Sequence, residues 1–79
     1  MIEGMSPEDL RRISAIRMAA ASGEAREKRR ELRLTLKEIA TAVGASPASV
    51  NRWERGENSP RGAAALRWAD ALGITAKAS

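Results

Sequence analysis

The chain has no cysteine, no histidine, no tyrosine and no phenylalanine. Lacking Cys, it has no disulfide. Lacking both Cys and His, it has none of the usual structural zinc sites and none of the Cys–His or Ser–His nucleophile systems. The missing cysteine is compatible with a cytoplasm and says little more about redox compartment. Aromatic residues are reduced to Trp53 and Trp68. No apolar run approaches the roughly 20 residues needed to span a bilayer, so no membrane partner is expected. The opening stretch, MIEGMSPEDL, has neither a basic start nor an apolar core and does not read as a signal peptide. No cluster of acids, no nucleophile beside a base and no phosphate-cradling Gly loop is present. Glu31, Glu38, Glu54 and Glu57 are each accounted for by caps, pairs or solvent. The expectation is therefore a protein that is not an enzyme, with no metal, no cofactor and no small-molecule ligand.

What is present is one domain's worth of chain. Its 79 residues lie near the lower size at which a core sustains itself. The formal net charge is +4 and the pI about 10.7. Residues 1–22 balance Arg11, Arg12 and Arg17 against Glu3, Glu8 and Asp9, so the whole excess lies beyond Gly23. A basic excess of this kind suits a polyanionic partner or, more simply, a solubilising mix of charges.

The most informative stretch is TLKEIATAVGASPASVNRWERG, Thr35 to Gly56. Thr35 is a candidate N-cap with Glu38 three residues on, a capping box. Leu36, Ile39, Ala40 and Val43 then recur at helical spacing. Gly44 stands where a helix end needs a residue tolerant of positive φ. A second start follows at once, with Ser46 as N-cap and Pro47 at the first helical position. In the second helix Val50 and Trp53 are expected inward, with Ala48, Ser49, Asn51, Arg52 and Arg55 outward, and Gly56 ends it. With about one residue between them, the two helices must turn sharply.

This pattern resembles the lambda-repressor-like helix-turn-helix domains of the Cro-type, XRE family. The carrying residues are Thr35, Glu38, Ile39, Ala40, Val43, Gly44, Ala45, Ser46, Ser49, Val50, Arg52, Trp53, Glu54, Arg55 and Gly56. The likeness continues through Pro60 and the segment from Leu66 to Ile74, and covers roughly Ser22 to Thr75. It implies an all-α fold: a four-helix bundle plus an extra N-terminal helix, over about 7–21, 23–34, 36–43, 47–55 and 60–72. Residues 1–22 would form an extension with one helix and 23–79 the DNA-binding domain. Three departures stand out. Arg33 occupies a position commonly Gly, Pro47 one often polar, and Leu36 replaces a common polar phosphate contact.

The first helix is expected from Pro7, capped by Ser6, with Leu10, Ile13, Ala20 and one of Ile16 or Arg17 on its buried stripe. Ser22–Gly23 offers a break, Gly23 ending one helix and Ser22 capping the next; one long kinked helix is the alternative. Along 23–34, Ala25, the Lys28 stem, Arg29 and Leu32 face the core in the resemblance. Arg26, Arg30 and Arg33 point elsewhere. They form either a basic rim near phosphates or a solvated face laced by pairs such as Glu24–Lys28 and Glu27–Arg30. Ser59–Pro60 repeats the Ser–Pro start signal, so all three prolines are expected to begin helices. The last helix should bury Ala64, Ala65 or Leu66, Trp68, Ala69 and Leu72, with Gly73 as its cap and Ile74 packing back. Trp53 and Trp68 read as core residues. Met1 to Met5 show no pattern, and Ala76 to Ser79 stand where related domains carry a fifth helix.

By the resemblance, helix 47–55 enters the major groove of double-stranded DNA. Pro47, Ala48, Asn51 and Arg52 are the candidate base readers. Arg52 suits guanine, Asn51 adenine and Ala48 a thymine methyl. Thr35, Lys37, Ser46, Ser49, Arg55 and Arg61 are the candidate phosphate contacts. Arg29 and Glu54 are expected to form a structural ion pair. The implied protein is a small transcriptional regulator of the repressor or Cro kind, in a bacterial or phage-infected cytoplasm, acting as a homodimer or a monomer. A protein-interaction module on the same fold, such as an antitoxin or bridging factor, is the competing reading.

Overall fold

The computed structural model describes residues 6–74. It contains α1 (Pro7–Ser22), α2 (Glu24–Glu31), α3 (Leu36–Val43), α4 (Pro47–Glu54) and α5 (Gly62–Leu72). Among the described residues there is no strand. The readings for Met1–Met5 and for Ala76–Ser79 lie outside the described residues.

Local chemistry sets most boundaries. Ser6 accepts the Asp9 N–H at 3.1 Å while the Asp9 carboxylate accepts the Ser6 N–H at 3.3 Å. Thr35 and Glu38 repeat this exchange at 3.0 and 2.9 Å. Each box satisfies two helix-start donors that water would otherwise have to meet. Gly23 breaks α1 from α2 with φ +88°, so the two are separate helices, not one kinked one. Ser22 is the last residue of α1 rather than the N-cap of α2. Its hydroxyl donates to the Ala19 carbonyl and accepts the Glu24 N–H.

α2 is shorter than the sequence pattern implies. It stops at Glu31, and Arg33 takes a left-handed conformation at φ +58°. The Arg33 N–H goes to the Arg30 carbonyl and the Leu34 N–H to the Arg29 carbonyl. This is the helix reversal that usually recruits glycine. Leu32 is left at the helix edge, 46% exposed, instead of facing the core, and Leu34 packs against the core in its place. The expected Glu24–Lys28 and Glu27–Arg30 pairs do not form; Lys28 approaches Glu31 instead, at 4.0 Å.

α4 ends one residue early, with Arg55 as its C-cap. α5 begins at Gly62, not at Pro60, and Arg61 stands at its N-cap. Pro60 is buried outside any helix, and its carbonyl accepts from Arg17 Nη2 at 3.3 Å. The third Ser–Pro is thus taken up by tertiary anchoring, while Pro7 and Pro47 do begin helices.

One core joins all five helices. Ile13 and Ile16 from α1, Ala25 from α2, Ile39 and Val43 from α3, Val50 and Trp53 from α4, and Ala65, Trp68 and Leu72 from α5 are buried together. Ile16, not Arg17, faces inward on α1. Leu10, expected on the buried stripe, is 53% exposed because α1 turns its Ile13–Ile16–Ala20 side to the core. The two tryptophan rings meet at 5.2 Å, tilted by 49°. α1 lies chiefly along α5. An Arg12–Asp70 ion pair and the Arg17–Pro60 bond tie its polar groups to the same side.

The α3–α4 turn is held from two directions. The N–H groups of Gly44 (φ +82°) and Ala45 both reach the Ala40 carbonyl, at 2.8 and 2.9 Å. Across the turn, Arg67 of α5 donates to the Val43 carbonyl at 3.3 Å. The end of α3, which sets the direction of α4, is therefore fastened to the core helix α5.

Candidate nucleic-acid interface

α4 is two-sided. Val50, Trp53 and Glu54 are buried; Pro47, Ala48 and Arg52 are exposed, and Ser49 and Asn51 are half-buried. Burying a carboxylate is costly unless it is paired and hydrogen-bonded. Glu54 is paired. Arg29 Nε donates to its Oε2 at 2.6 Å and Arg29 Nη2 to its Oε1 at 3.2 Å. The third guanidinium nitrogen, Nη1, donates to the Leu34 carbonyl at 2.9 Å. The fork geometry suits a carboxylate, and both side chains are largely shielded, at 14% and 2% exposure. One arginine thus fastens α2, the α2–α3 loop and α4 together. Its charge is used internally.

The remaining candidates differ in what they have left to offer. The Thr35 hydroxyl accepts the Glu38 N–H and donates to the Glu38 carboxylate at 3.2 Å. The Thr35 N–H goes to the same carboxylate. Thr35 is therefore fully occupied as a cap. Ser46 accepts the Ser49 N–H at 3.1 Å and donates to Ser49 Oγ at 3.0 Å, which leaves the Ser49 hydroxyl hydrogen free. Arg55 is exposed and pairs with Glu57 at 3.3 Å, a pair that water screens heavily. Lys37, Arg52 and Arg61 are exposed. Among the described residues, none of these three has an ion pair or side-chain hydrogen bond.

The structure brings Asn51, Arg52 and Arg55 together on one outward side of α4, with Pro47 and Ala48 at its N-terminal end. Two further residues belong to this region, Arg67, to which sequence patterning gave no role, and Arg26, offered there as part of a basic rim or a solvated face. Arg67 fastens the turn before α4. Arg26 lines a cleft shared with Leu36, Asn51 and Arg55. Helical spacing had pointed Arg26 elsewhere. It lies on the same helix as Arg29, whose pair with Glu54 holds α2 to α4.

No helix among the described residues is long and apolar enough to cross a membrane. A comparison with protein-family models matches residues 26–77, well over half of the chain, to a helix-turn-helix family. No curated protein and no solved structure matches it.

Proposed function

The chain belongs to the lambda-repressor-like (XRE) family of helix-turn-helix DNA-binding domains, and we propose that it is a small sequence-specific regulator of the repressor or Cro kind, reading the major groove with α4. The observation that carries this reading is the division of labour on α4. Its inner side is fixed by two core residues and a buried ion pair, while Arg52 on its outer side has no partner in the fold. A rigid helix with an uncommitted guanidinium matches what base readout asks of a protein. The cost of ordering the helix is met before DNA arrives.

In this reading Arg52 donates two bonds to guanine, Asn51 pairs with an adenine edge, and Ala48 packs on a thymine methyl. Pro47 contributes shape only, since it has no N–H. Lys37, Ser49, Arg55 and Arg61 hold phosphates, Arg55 exchanging its exposed Glu57 partner for the backbone. Ser46 and Thr35 act on α4 and α3 as caps and contribute to binding only through helix placement. The site of action is the cytoplasm of a bacterial or phage-infected cell, and the partner is double-stranded DNA.

Selection of bound sequences from a random duplex pool, at two salt concentrations, tests this. A specific regulator enriches a consensus that persists at the higher salt. A two-fold symmetric consensus with half-sites about one DNA turn apart identifies a homodimer, and a short asymmetric one a monomer. Binding without enrichment, lost steeply as salt rises, contradicts the reading, because phosphate attraction alone behaves that way.

A further inference from the structure

α1 precedes the residues matched to the helix-turn-helix family, and its outward side has no role in the reading above. We infer that this side is a docking surface for a second protein, one that offers an acidic, amphipathic helical segment. This role does not depend on the DNA-binding reading.

Three large apolar side chains are exposed among the described residues, Leu10, Met18 and Leu32, and two of them belong to α1. Met18 is the most open, at 69% exposure. Single exposed apolar residues are ordinary; a contiguous line of them marks an interaction site. Leu10, Ser14 and Met18 follow one helical turn apart and so stack along one side of α1, and exposed Ala21 continues the line. The Ser14 hydroxyl faces Met18 Sδ at 4.0 Å, which makes the stripe continuous there. Its length is about 16 Å, or about three turns. The core does not need this side, because Ile13, Ile16, Ala19 and Ala20 already fill the inner one.

Charge says what covers the stripe. At roughly 3.6 residues per turn, Arg17 falls on one edge of it and Arg11 on the other. Both are exposed, and among the described residues neither pairs with a carboxylate. Arg17 commits one nitrogen to the Pro60 carbonyl. The acids of α1 do not offset them. Asp9 is taken up by the Ser6 N–H and by Arg12, and Glu8 makes no ion pair among the described residues. A partner that covers the stripe must therefore bring carboxylates to its two edges and apolar groups between them, as one face of an amphipathic helix does. Met18 can adapt its shape to whatever apolar group it meets. A second copy fits worse. Antiparallel α1 helices that set Leu10 against Met18 across a two-fold axis would also set Arg11 of one copy against Arg17 of the other, and like charges brought together oppose association. DNA fits worse as well, since Leu10 and Met18 have no donor for a phosphate.

The test is selection from a random displayed-peptide library, with peptides of about 15 residues so that a helix can form. It is run on the full chain and, in parallel, on a Leu10→Ser, Met18→Ser variant. Both positions are exposed, and thermal unfolding checks that the variant keeps the parent's fold. The expected result is enrichment, on the parent alone, of peptides with apolar residues three or four apart flanked by Asp or Glu. Arg11→Glu, a surface charge reversal, should then weaken an enriched peptide by about tenfold or more. Enrichment of the same peptides on parent and variant, enrichment of basic or uncharged peptides, or no enrichment at all overturns the inference. So does self-association of the parent, seen as concentration-dependent sedimentation that the double variant loses, because the stripe then belongs to a second copy. None of these outcomes bears on selection from the duplex pool, so the two readings fail separately.

Discussion

α1 and α4 make an instructive pair. α1 runs 16 residues and α4 only 8. Both bury one side in the same core. They differ in where their cations go. On α1, Arg12 pairs with Asp70 and Arg17 bonds the Pro60 carbonyl, so two arginines are committed to α5 and the loop before it. On α4, the one buried charge is an acid, neutralised by Arg29 from another helix, and Arg52 stays uncommitted. Helix α1 spends Arg12 and Arg17 on securing the fold and leaves Arg11 exposed without a partner among the described residues. Helix α4 is secured by its neighbours and leaves Arg52 without a partner in the fold. The distinction cannot be seen in composition, because both helices carry arginine on exposed positions.

The largest effect should come from removing what secures α4. Glu54→Ala leaves the shielded Arg29 guanidinium without its carboxylate. The expected loss is about 3–5 kcal/mol of stability, read by urea unfolding. A loss below about 1 kcal/mol would put the pair with ordinary surface ion pairs, and α4 would then owe its position to packing alone.

The next effect tests whether α1 belongs to the same folding unit. Ile16 is fully buried among residues of the shared core. Ile16→Ala should cost about 2–5 kcal/mol and keep a single cooperative transition. A small loss, or a separate early transition for α1, would mean that α1 is an appendage and that its commitment to α5 is superficial.

The smallest effect is of opposite sign. Arg33 sits at φ +58°, where a side chain costs about 1–2 kcal/mol. Arg33→Gly relieves that strain and loosens the unfolded chain by about 0.4–1 kcal/mol. A net gain of about 0.5–1 kcal/mol in urea unfolding is expected, with no change at α4. A net loss would show that the Arg33 side chain contributes contacts worth more than the strain.

How much of this was legible beforehand follows the range of the forces involved. The capping boxes at Ser6 and Thr35, the Ser46–Pro47 start and the glycine ends at Gly23, Gly44 and Gly73 are written within four residues of chain, and they can be read there. The two tryptophans lie on apolar stripes and meet in the core. Errors arise where distant residues decide. Ser59–Pro60 looks like a helix start, but Arg17 and the core claim Pro60. Leu10 and Leu32 are apolar yet exposed, because helix orientation, not hydropathy, chooses the buried side. The shortened end of α2 needs a non-glycine residue in a left-handed conformation, which a local rule argues against.

The candidate site was legible in the same uneven way. Helical spacing places Ala48, Arg52 and Arg55 outward as found, but not the half-burial of Ser49 and Asn51. Nor does it show which of the hydroxyls and guanidiniums remain free. Thr35 and Ser46 look equivalent to Ser49 as phosphate donors until their hydrogen bonds are traced into the caps. Arg26 has no distinguishing spacing, and it lines the cleft beside α4 on the helix that Arg29 ties to Glu54.

The central claim is that the free groups of α4 face DNA and read it, and Arg52 tests that most directly. Sequence selection from a random duplex pool would be run on Arg52→Ala beside its parent. The account predicts that the variant folds as the parent does, loses about 1–3 kcal/mol of affinity for the preferred site, and no longer discriminates at one guanine position while keeping the rest of the consensus. An unchanged consensus and unchanged affinity would contradict it, since the uncommitted guanidinium on α4 would then have no part in reading DNA.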